Sequence, residues 1–269
     1  MSQLRVRATD PVNGYTHQIT PQSAGWTFVG FDVLVLKAGE TKSATTTGRE
    51  ACLVVLSGKI TAKAGGNDMG TLGDRASPFE APGWSLYVPA NSSWEITALT
   101  DCEVGVCSAP GAGLLPPRVI PPAEVGHETR GVGTNTRYVR NILPDTSPHA
   151  ESLLVVEVIT PGGNWSSYPP HKHERDALPE ESLLEETYYH RIHPPQGYAV
   201  QRVYTDDRSL DETVLVEDRD VVLVPRGYHP VGAAHGYDLY YLNVMAGPRR
   251  IWRLHNDPDH AWLMAKPTP

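Results

Sequence analysis

Residues 168–190 read YPPHKHERDALPEESLLEETYYH. His171 and His173 are separated by one residue, and in a strand residues i and i+2 project from the same face, so both imidazoles can reach one metal ion. A carboxylate follows at Glu185 or Glu186. If Glu186 faces inward, so do Tyr188 and His190, which makes a polar, aromatic wall; if Glu185 does, so do Thr187 and Tyr189. Glu186 is the preferred reading. Further on, the apolar run Val221–Val224 ends in Pro225-Arg226-Gly227-Tyr228-His229, a turn that delivers a third histidine. Three nitrogens and one oxygen suit a divalent first-row metal with positions left open for substrate or water. An H-x-H pair alone is common by chance. Its weight here comes from the spaced glutamate, the Tyr-rich segment after it and the later Pro-x-Gly-x-His turn.

The rest of the chain reads as short strands. Phe31–Leu36, Ala51–Leu56, Leu153–Ile159, Val200–Tyr204, Val221–Val224 and Leu239–Met245 are rich in aliphatic, β-branched or aromatic residues, and most are bounded by Gly, Pro, Asn or Asp. Helical periodicity is confined to brief segments around Pro179–Leu184 and Asp257–Leu263. With 24 prolines in 269 residues, many turns and edges are expected, which argues against a helical bundle. Regular short strands with turn signals between them predict an all-β sandwich or barrel.

The midpoint, Ser108–Gly126, reads SAPGAGLLPPRVIPPAEVG with five prolines, an extended connector and not a strand. It divides the chain into residues 1–107, a connector over 108–132 and residues 133–269. The two parts look alike: Leu86–Pro89 and Leu223–Pro225 both end an apolar strand in Val-Pro, and Gly30–Gly39 matches Val155–Gly162. The first part lacks histidines around Ala44–Glu50 and has Ser93-Trp94 where the second has His229, so it reads as a barrel without metal ligands.

The net charge of −8 and the absence of a basic stripe argue against nucleic-acid binding. Cys52, Cys102 and Cys107 form no C-x-x-C pair and read as buried thiols in a reducing compartment. The first ten residues lack the apolar core of a signal peptide, and no apolar run approaches the roughly 18–20 residues of a membrane span. A cytoplasmic protein with no membrane partner is expected. Uncovered strand edges make a homo-oligomer a reasonable expectation.

The His-His-Glu…His pattern resembles the cupins, small β-barrels with two short metal-binding motifs, and two such halves resemble a bicupin. More closely, the sequence is similar to the 5-deoxy-glucuronate isomerases of bacterial inositol catabolism. The blocks that carry this are NWSSYPPHKH (164–173), QRVYTDDRSLDET (201–213), VPRGYHPVGAAHGYDLYYLNVMAGP (224–248), HNDPDHAW (255–262) and GFDVLVLKAGE (30–40). The resemblance implies two cupin-like jelly-roll halves and a divalent metal (zinc, manganese, iron or nickel) on His171, His173, Glu186 and His229. The loop from His173 to Glu186 is longer than in a compact cupin motif.

The implied reaction is an aldose–ketose isomerisation of 5-deoxy-D-glucuronate to 5-dehydro-2-deoxy-D-gluconate through a metal-stabilised enediol. His190, Tyr188 and His235 are the candidates for the base that moves the C2 proton. The substrate's carboxylate calls for a guanidinium, with Arg137, Arg140 and Arg202 as candidates; Arg202 points outward if Gln201 faces the pocket. Lys172 faces away from the metal by parity and reads as solvent-facing. His255 and His260 read as parts of a docked C-terminal segment, anchored by Trp252 and Trp262. Other readings are the related ketouronate isomerase of pectin breakdown, a cupin dioxygenase that would consume oxygen, and a non-enzymatic sugar-binding bicupin, against which a metal quartet in one half counts.

Overall fold

The six segments read as strands are all strands, and the reason for their apolar runs lies in where they sit. In Arg49–Ser57, Cys52, Val54 and Leu56 face one core while Leu53 and Val55 face another. A strand buried on both sides shows a continuous apolar run and no alternation. The computed structural model describes residues 3–264. Among them the only α-helix is the single turn Pro21–Ala24, capped by Thr20 and Ser23.

Two large antiparallel sheets dominate. One orders its strands Arg118–Ile120, Ser85–Val88, Arg49–Ser57, Cys102–Pro110, Gly30–Leu36 and Tyr15–Ile19. The other orders Arg5–Val6, Val221–Val224, Glu185–His193, Asp238–Ala246, Leu154–Thr160, Arg137–Leu143 and Gly126–Arg130. The internal repeat is visible in this order: the two Val-Pro strands, 85–88 and 221–224, occupy the same place beside 49–57 and 185–193. A four-stranded sheet completes each half, Thr41–Thr45, Ser93–Ala98, Ile60–Ala64 and Asn67–Leu72 in the first, Trp165–Ser166, Val231–Ala233, Ala199–Tyr204 and Asp211–Val216 in the second. The result is an all-β bicupin.

The two halves pack back to back through their large sheets. Phe31, Val33, Cys52, Val54 and Cys107 of the first share one core with Tyr189, Val221, Tyr240, Leu242 and Val244 of the second. Approach is close: a Cβ on Gly105 would stand 2.7 Å from a Leu242 methyl. Each half also has an inner core. The first is filled by apolar side chains such as Leu34, Leu53, Val55, Ile96 and Val104. The second is apolar toward Val203, Val214 and Val231 but carries polar groups at its other end.

Three expectations need correction. Pro179–Leu184 is no helix: Glu181–Leu183 pairs antiparallel with Glu174–Ala177, so the long loop before Glu186 is a hairpin. The proline-rich midpoint also contains strand, since Arg118–Ile120 pairs with 85–87 and Gly126–Arg130 pairs with 137–141. Both are edge strands, bonded on one side only, where flanking prolines are tolerated. At the other end, Pro258–Met264 forms 3-10 turns where a brief helix was expected.

The interface is also polar at its margins. Arg75, from the first half, meets Glu157 of the second at 2.5 Å with side chains 2% and 0% exposed. Tyr240 donates to the same carboxylate at 2.8 Å. On the opposite margin Glu103 accepts from Tyr189 at 2.8 Å and from Arg191 at 2.9 Å. Removing one partner of such a buried pair strands the other charge, at a cost of about 3–5 kcal/mol, whereas exposed pairs contribute ~0–1 kcal/mol. Arg75→Ala is therefore expected to lower the thermal midpoint by many degrees, and Lys37→Ala, at an exposed pair with Asp101, hardly at all. Equal midpoints in thermal melts would contradict this account.

Candidate metal centre

The histidine pair sits on the short strand His171–Lys172 and just after it, and the hairpin 174–183 returns the chain so that Leu184 lies against His173. The Leu184 amide donates to the His173 carbonyl at 2.9 Å, and His173 Nδ1 bonds the Leu184 carbonyl at 2.9 Å. His173 Nε2 is thereby aimed at Glu186 Oε2, 3.0 Å away. His229 is prepared in the same way: Nδ1 bonds the Gly227 carbonyl at 2.9 Å and Nε2 lies 3.1 Å from the same carboxylate oxygen. That nitrogen is poorly aligned for hydrogen bonding and remains buried without a hydrogen-bond partner. His171 meets the edge of the His229 ring, with centroids 4.9 Å apart at 85°. Asn243 donates to the second Glu186 oxygen.

Glu186 and Glu185 take opposite faces, as strand parity requires. Glu185 turns toward the first half and accepts from the backbone amides of Thr27, Phe28 and Val29.

The electrostatics follow from burial and proximity. Burial acts against charge on His173, but the attraction of Glu186 outweighs it, and its pKa lies above the ordinary value. Burial would raise Glu186, yet His229 and His173 pull it below the usual carboxylate range. Burial, together with the neighbouring imidazoles and Arg137, pushes His171 well below 6.5. Burial also lowers His229. One ligand atom from each of His173, Glu186 and His229 lies within 4.8 Å of the others. Imidazoles fixed through Nδ1 with Nε2 converging on a carboxylate, one nitrogen orphaned, fit a divalent metal ion. His171 stands beside this triad.

Behind the triad, Tyr188 and His190 share the Glu186 face. Their rings stack at 5.9 Å and 15°. The Tyr188 hydroxyl pairs with Ser167 Oγ at 2.9 Å, and Tyr241 pairs with Ser166 at 2.6 Å. His190 Nε2 lies 3.1 Å from Gln201 Oε1, while the Gln201 amide nitrogen donates to the His229 carbonyl. That donation assigns Oε1 as the acceptor, so His190 carries its proton on Nε2 and a lone pair on Nδ1, which has no partner. Burial pushes His190 down to about 3 and Tyr188 well above 10.

A cavity of about 630 Å3 opens beside the triad, lined by His171, Arg137, Tyr168, Arg130, Trp252 and Arg253 among others. Arg137 is held on its wall by donation to the Tyr168 carbonyl at 3.0 Å and the Asn135 carbonyl at 3.1 Å.

The remaining expected residues lie elsewhere. Arg140 is buried at the interface between halves, donating to the carbonyls of Pro78 and Ala81 at 2.8 Å each. Arg202 points outward into a bidentate pair with Asp211, because Gln201 takes the inward position. His235 is exposed on the turn before the strand Asp238–Ala246. Lys172 faces away from the triad as parity requires but is 1% exposed, enclosed by Glu174 and Asp206 instead of water. Trp262 is 70% exposed and anchors nothing. Trp252 is packed against two cores, with the Arg130 guanidinium 4.9 Å from its ring.

Three contributors escaped the sequence reading. Asn243 had a signal, a lone amide in an otherwise apolar strand, and a buried amide demands partners. Arg130 and Arg253 had none, since only the fold brings them to the cavity. The wall containing Trp252 and Arg253 continues into His255–Asn256, which pairs with His171–Lys172. Asp257 secures it: its amide donates to the Pro170 carbonyl at 2.9 Å and its carboxylate accepts from Tyr204 at 2.7 Å.

A model of the KduI/IolB family matches residues 4–263 of the chain. The 5-deoxy-glucuronate isomerase of Geobacillus kaustophilus is 57% identical over 266 residues, which cover 98% of this chain and 96% of that one. The 5-deoxy-glucuronate isomerase of Bacillus subtilis strain 168 is 50% identical over 251 residues, 93% of each chain. Among solved structures, an IolB-like protein from Salmonella typhimurium LT2 superposes with a TM-score of 0.95 at 53% identity, covering 98% of this chain and all of that one (100%). Oxalate decarboxylase from Lactobacillus farciminis superposes with a TM-score of 0.65 at 14% identity over 95% of this chain and 89% of that one, a likeness of fold alone.

Asp257→Ala leaves the Tyr204 hydroxyl without its acceptor, at a cost of about 1–3 kcal/mol. Limited proteolysis is expected to cut the variant after Arg253 under conditions that leave the parent chain whole. An unchanged digestion pattern would show that other contacts hold the wall.

Proposed function

The chain belongs to the KduI/IolB family and is a 5-deoxy-glucuronate isomerase, and we propose that the reaction runs in the C-terminal barrel, at the cavity beside His173, Glu186 and His229. The observation that carries this is the convergence of His173 and His229 on Glu186, with the adjacent His171 lining a cavity that also presents Arg137. His171, His173, Glu186 and His229 would hold a divalent first-row ion, for which zinc, manganese, iron and nickel all suit the donor set. Bound there, such an ion supplies a Lewis acid for the adjacent C1 and C2 oxygens of the sugar acid.

The protein's own groups account for the remaining steps. Arg137, fixed through one side of its guanidinium, offers the other to the substrate's carboxylate. The isomerisation removes the proton on C2, passes through an enediol and returns a proton to C1. It also moves a proton from the C2 oxygen to the C1 oxygen. Tyr188 keeps its proton at neutral pH and donates a hydrogen bond where negative charge develops on oxygen. His190 is neutral at pH 7, and its Nδ1 lone pair is the acceptor we assign to the carbon-bound proton. The working unit is thus the C-terminal barrel, 133–269, completed by the strands Gly126–Arg130 and Arg5–Val6 from outside those bounds, whereas the N-terminal barrel has an apolar interior with no comparable donor set among the described residues.

Elemental analysis of the purified enzyme, paired with an anaerobic assay on 5-deoxy-glucuronate, tests the reading. One divalent ion per chain is expected, with turnover independent of oxygen and abolished both by chelation and in His229→Ala. Full turnover by metal-free enzyme would falsify it.

Arg137 and Tyr188 separate in kinetics. Arg137→Met is expected chiefly to raise KM, because it removes a contact made to substrate before and during reaction. Tyr188→Phe is expected to lower kcat by about 10²–10⁴-fold with little change in KM. Steady-state rates that show the opposite split would reassign the two roles.

A further inference from the structure

Glu185 and Glu50 are equivalent residues. Glu50 pairs with Ala109 across the strands 49–57 and 102–110, and Glu185 pairs with Ala246 across the strands 185–193 and 238–246. Each carboxylate crosses to the opposite half and is gripped there by three consecutive backbone amides. Glu50 accepts from Glu151, Ser152 and Leu153 at 2.8, 2.6 and 2.6 Å. Glu185 accepts from Thr27, Phe28 and Val29 at 2.6, 2.6 and 3.0 Å. Three converging N–H groups make a strong, directional anchor for a buried anion.

The two grips hold different things. Glu50 is followed by Ala51, which faces an apolar interior. Glu185 stands between Leu184, whose carbonyl and amide fix His173, and Glu186 itself. At this point the ligand strand is otherwise held on one side: Glu185 pairs with Ala246, and the pairing with the strand 221–224 begins only at Glu186.

We infer that Glu185 is a positioning residue for the metal site, through which the N-terminal half, itself without ligands, sets the placement of His173 and Glu186. Metal ligands need placement within a few tenths of an ångström, and a strand start held on one side alone does not provide it. The amides of 27–29 supply the missing constraint. The inference rests on the metal reading above.

The symmetry supplies its own control. Glu185→Gln and Glu50→Gln each exchange one oxygen for an amide group that faces N–H donors, so both variants should melt below the parent. Only Glu185→Gln should bind the metal more weakly, by tenfold or more in competition with a chelator, and lose kcat at subsaturating metal. Glu50→Gln should stay within about twofold of the parent in affinity. Glu185→Asp, which keeps the charge but draws it back by one methylene, should fall in the same direction and serves if Glu185→Gln does not fold. Parent-like affinity in a folded Glu185 variant, or an equal loss in Glu50→Gln, overturns the inference. A parent protein that binds no metal overturns the metal reading first, before any variant is made.

Discussion

A carboxylate buried between two halves must find hydrogen-bond donors there, and here the opposite half supplies most of them, a constraint that organises the molecule. Glu50, Glu103, Glu157 and Glu185 are all buried, with relative exposures of 0%, 3%, 0% and 7%. Glu157 takes an arginine from the other half, and Glu50 and Glu185 take runs of amides. Apolar contacts such as Val33, Val54 and Val244 drive the sheets together but leave their rotation and sliding weakly specified. The anions specify them, because a carboxylate displaced from its donors keeps the full cost of desolvation. Back-to-back packing therefore has one register.

The two barrels show how one architecture divides its labour. Inward positions filled by Ala51, Leu53, Val55 and Val106 in the first half correspond in the second to a strand face bearing Glu186, Tyr188 and His190 and to Asn243 on its neighbour. Every polar atom placed there requires a partner, and most have one: Ser167 for Tyr188, Ser166 for Tyr241, Gln201 for His190. Two that lack one, His229 Nε2 and His190 Nδ1, are lone-pair nitrogens at and behind the His173–Glu186–His229 cluster. An unsatisfied lone pair beside a cluster of ligand-type side chains is where a ligand or a proton is expected.

Much of this was legible in the sequence, and the limits were physical. Strand parity required Glu185 and Glu186 to take opposite faces and Tyr188 and His190 to share the face of Glu186, and the structure has both. The repeated Val-Pro ends exposed the duplication. Parity also stated the condition under which Arg202 leaves the pocket, and Gln201 meets it. What parity does not carry is distance across the fold. Arg140 looked equivalent to Arg137, three residues away, yet one lies at the junction of the halves and the other on the cavity wall. Lys172 faced away from the metal as expected, but which medium lay on that side, water or Asp206 and Glu174, depended on a loop more than thirty residues downstream. The helix expected at Pro179–Leu184 failed because its turn-forming ends suit a hairpin equally well, and pairing with 174–177 decided between them.

The pairing of His255–Asn256 with His171–Lys172 has a consequence for biosynthesis. Every strand of both barrels precedes residue 247 in the chain, so a growing polypeptide can close its jelly rolls and assemble its donor atoms while the cavity still lacks one side. A chain that far advanced would present the side chains of His173, Glu186 and His229 to solvent through a wider opening than the finished fold does. Residues 252–257 then add the last wall of the cavity, after the groups it encloses are already in place.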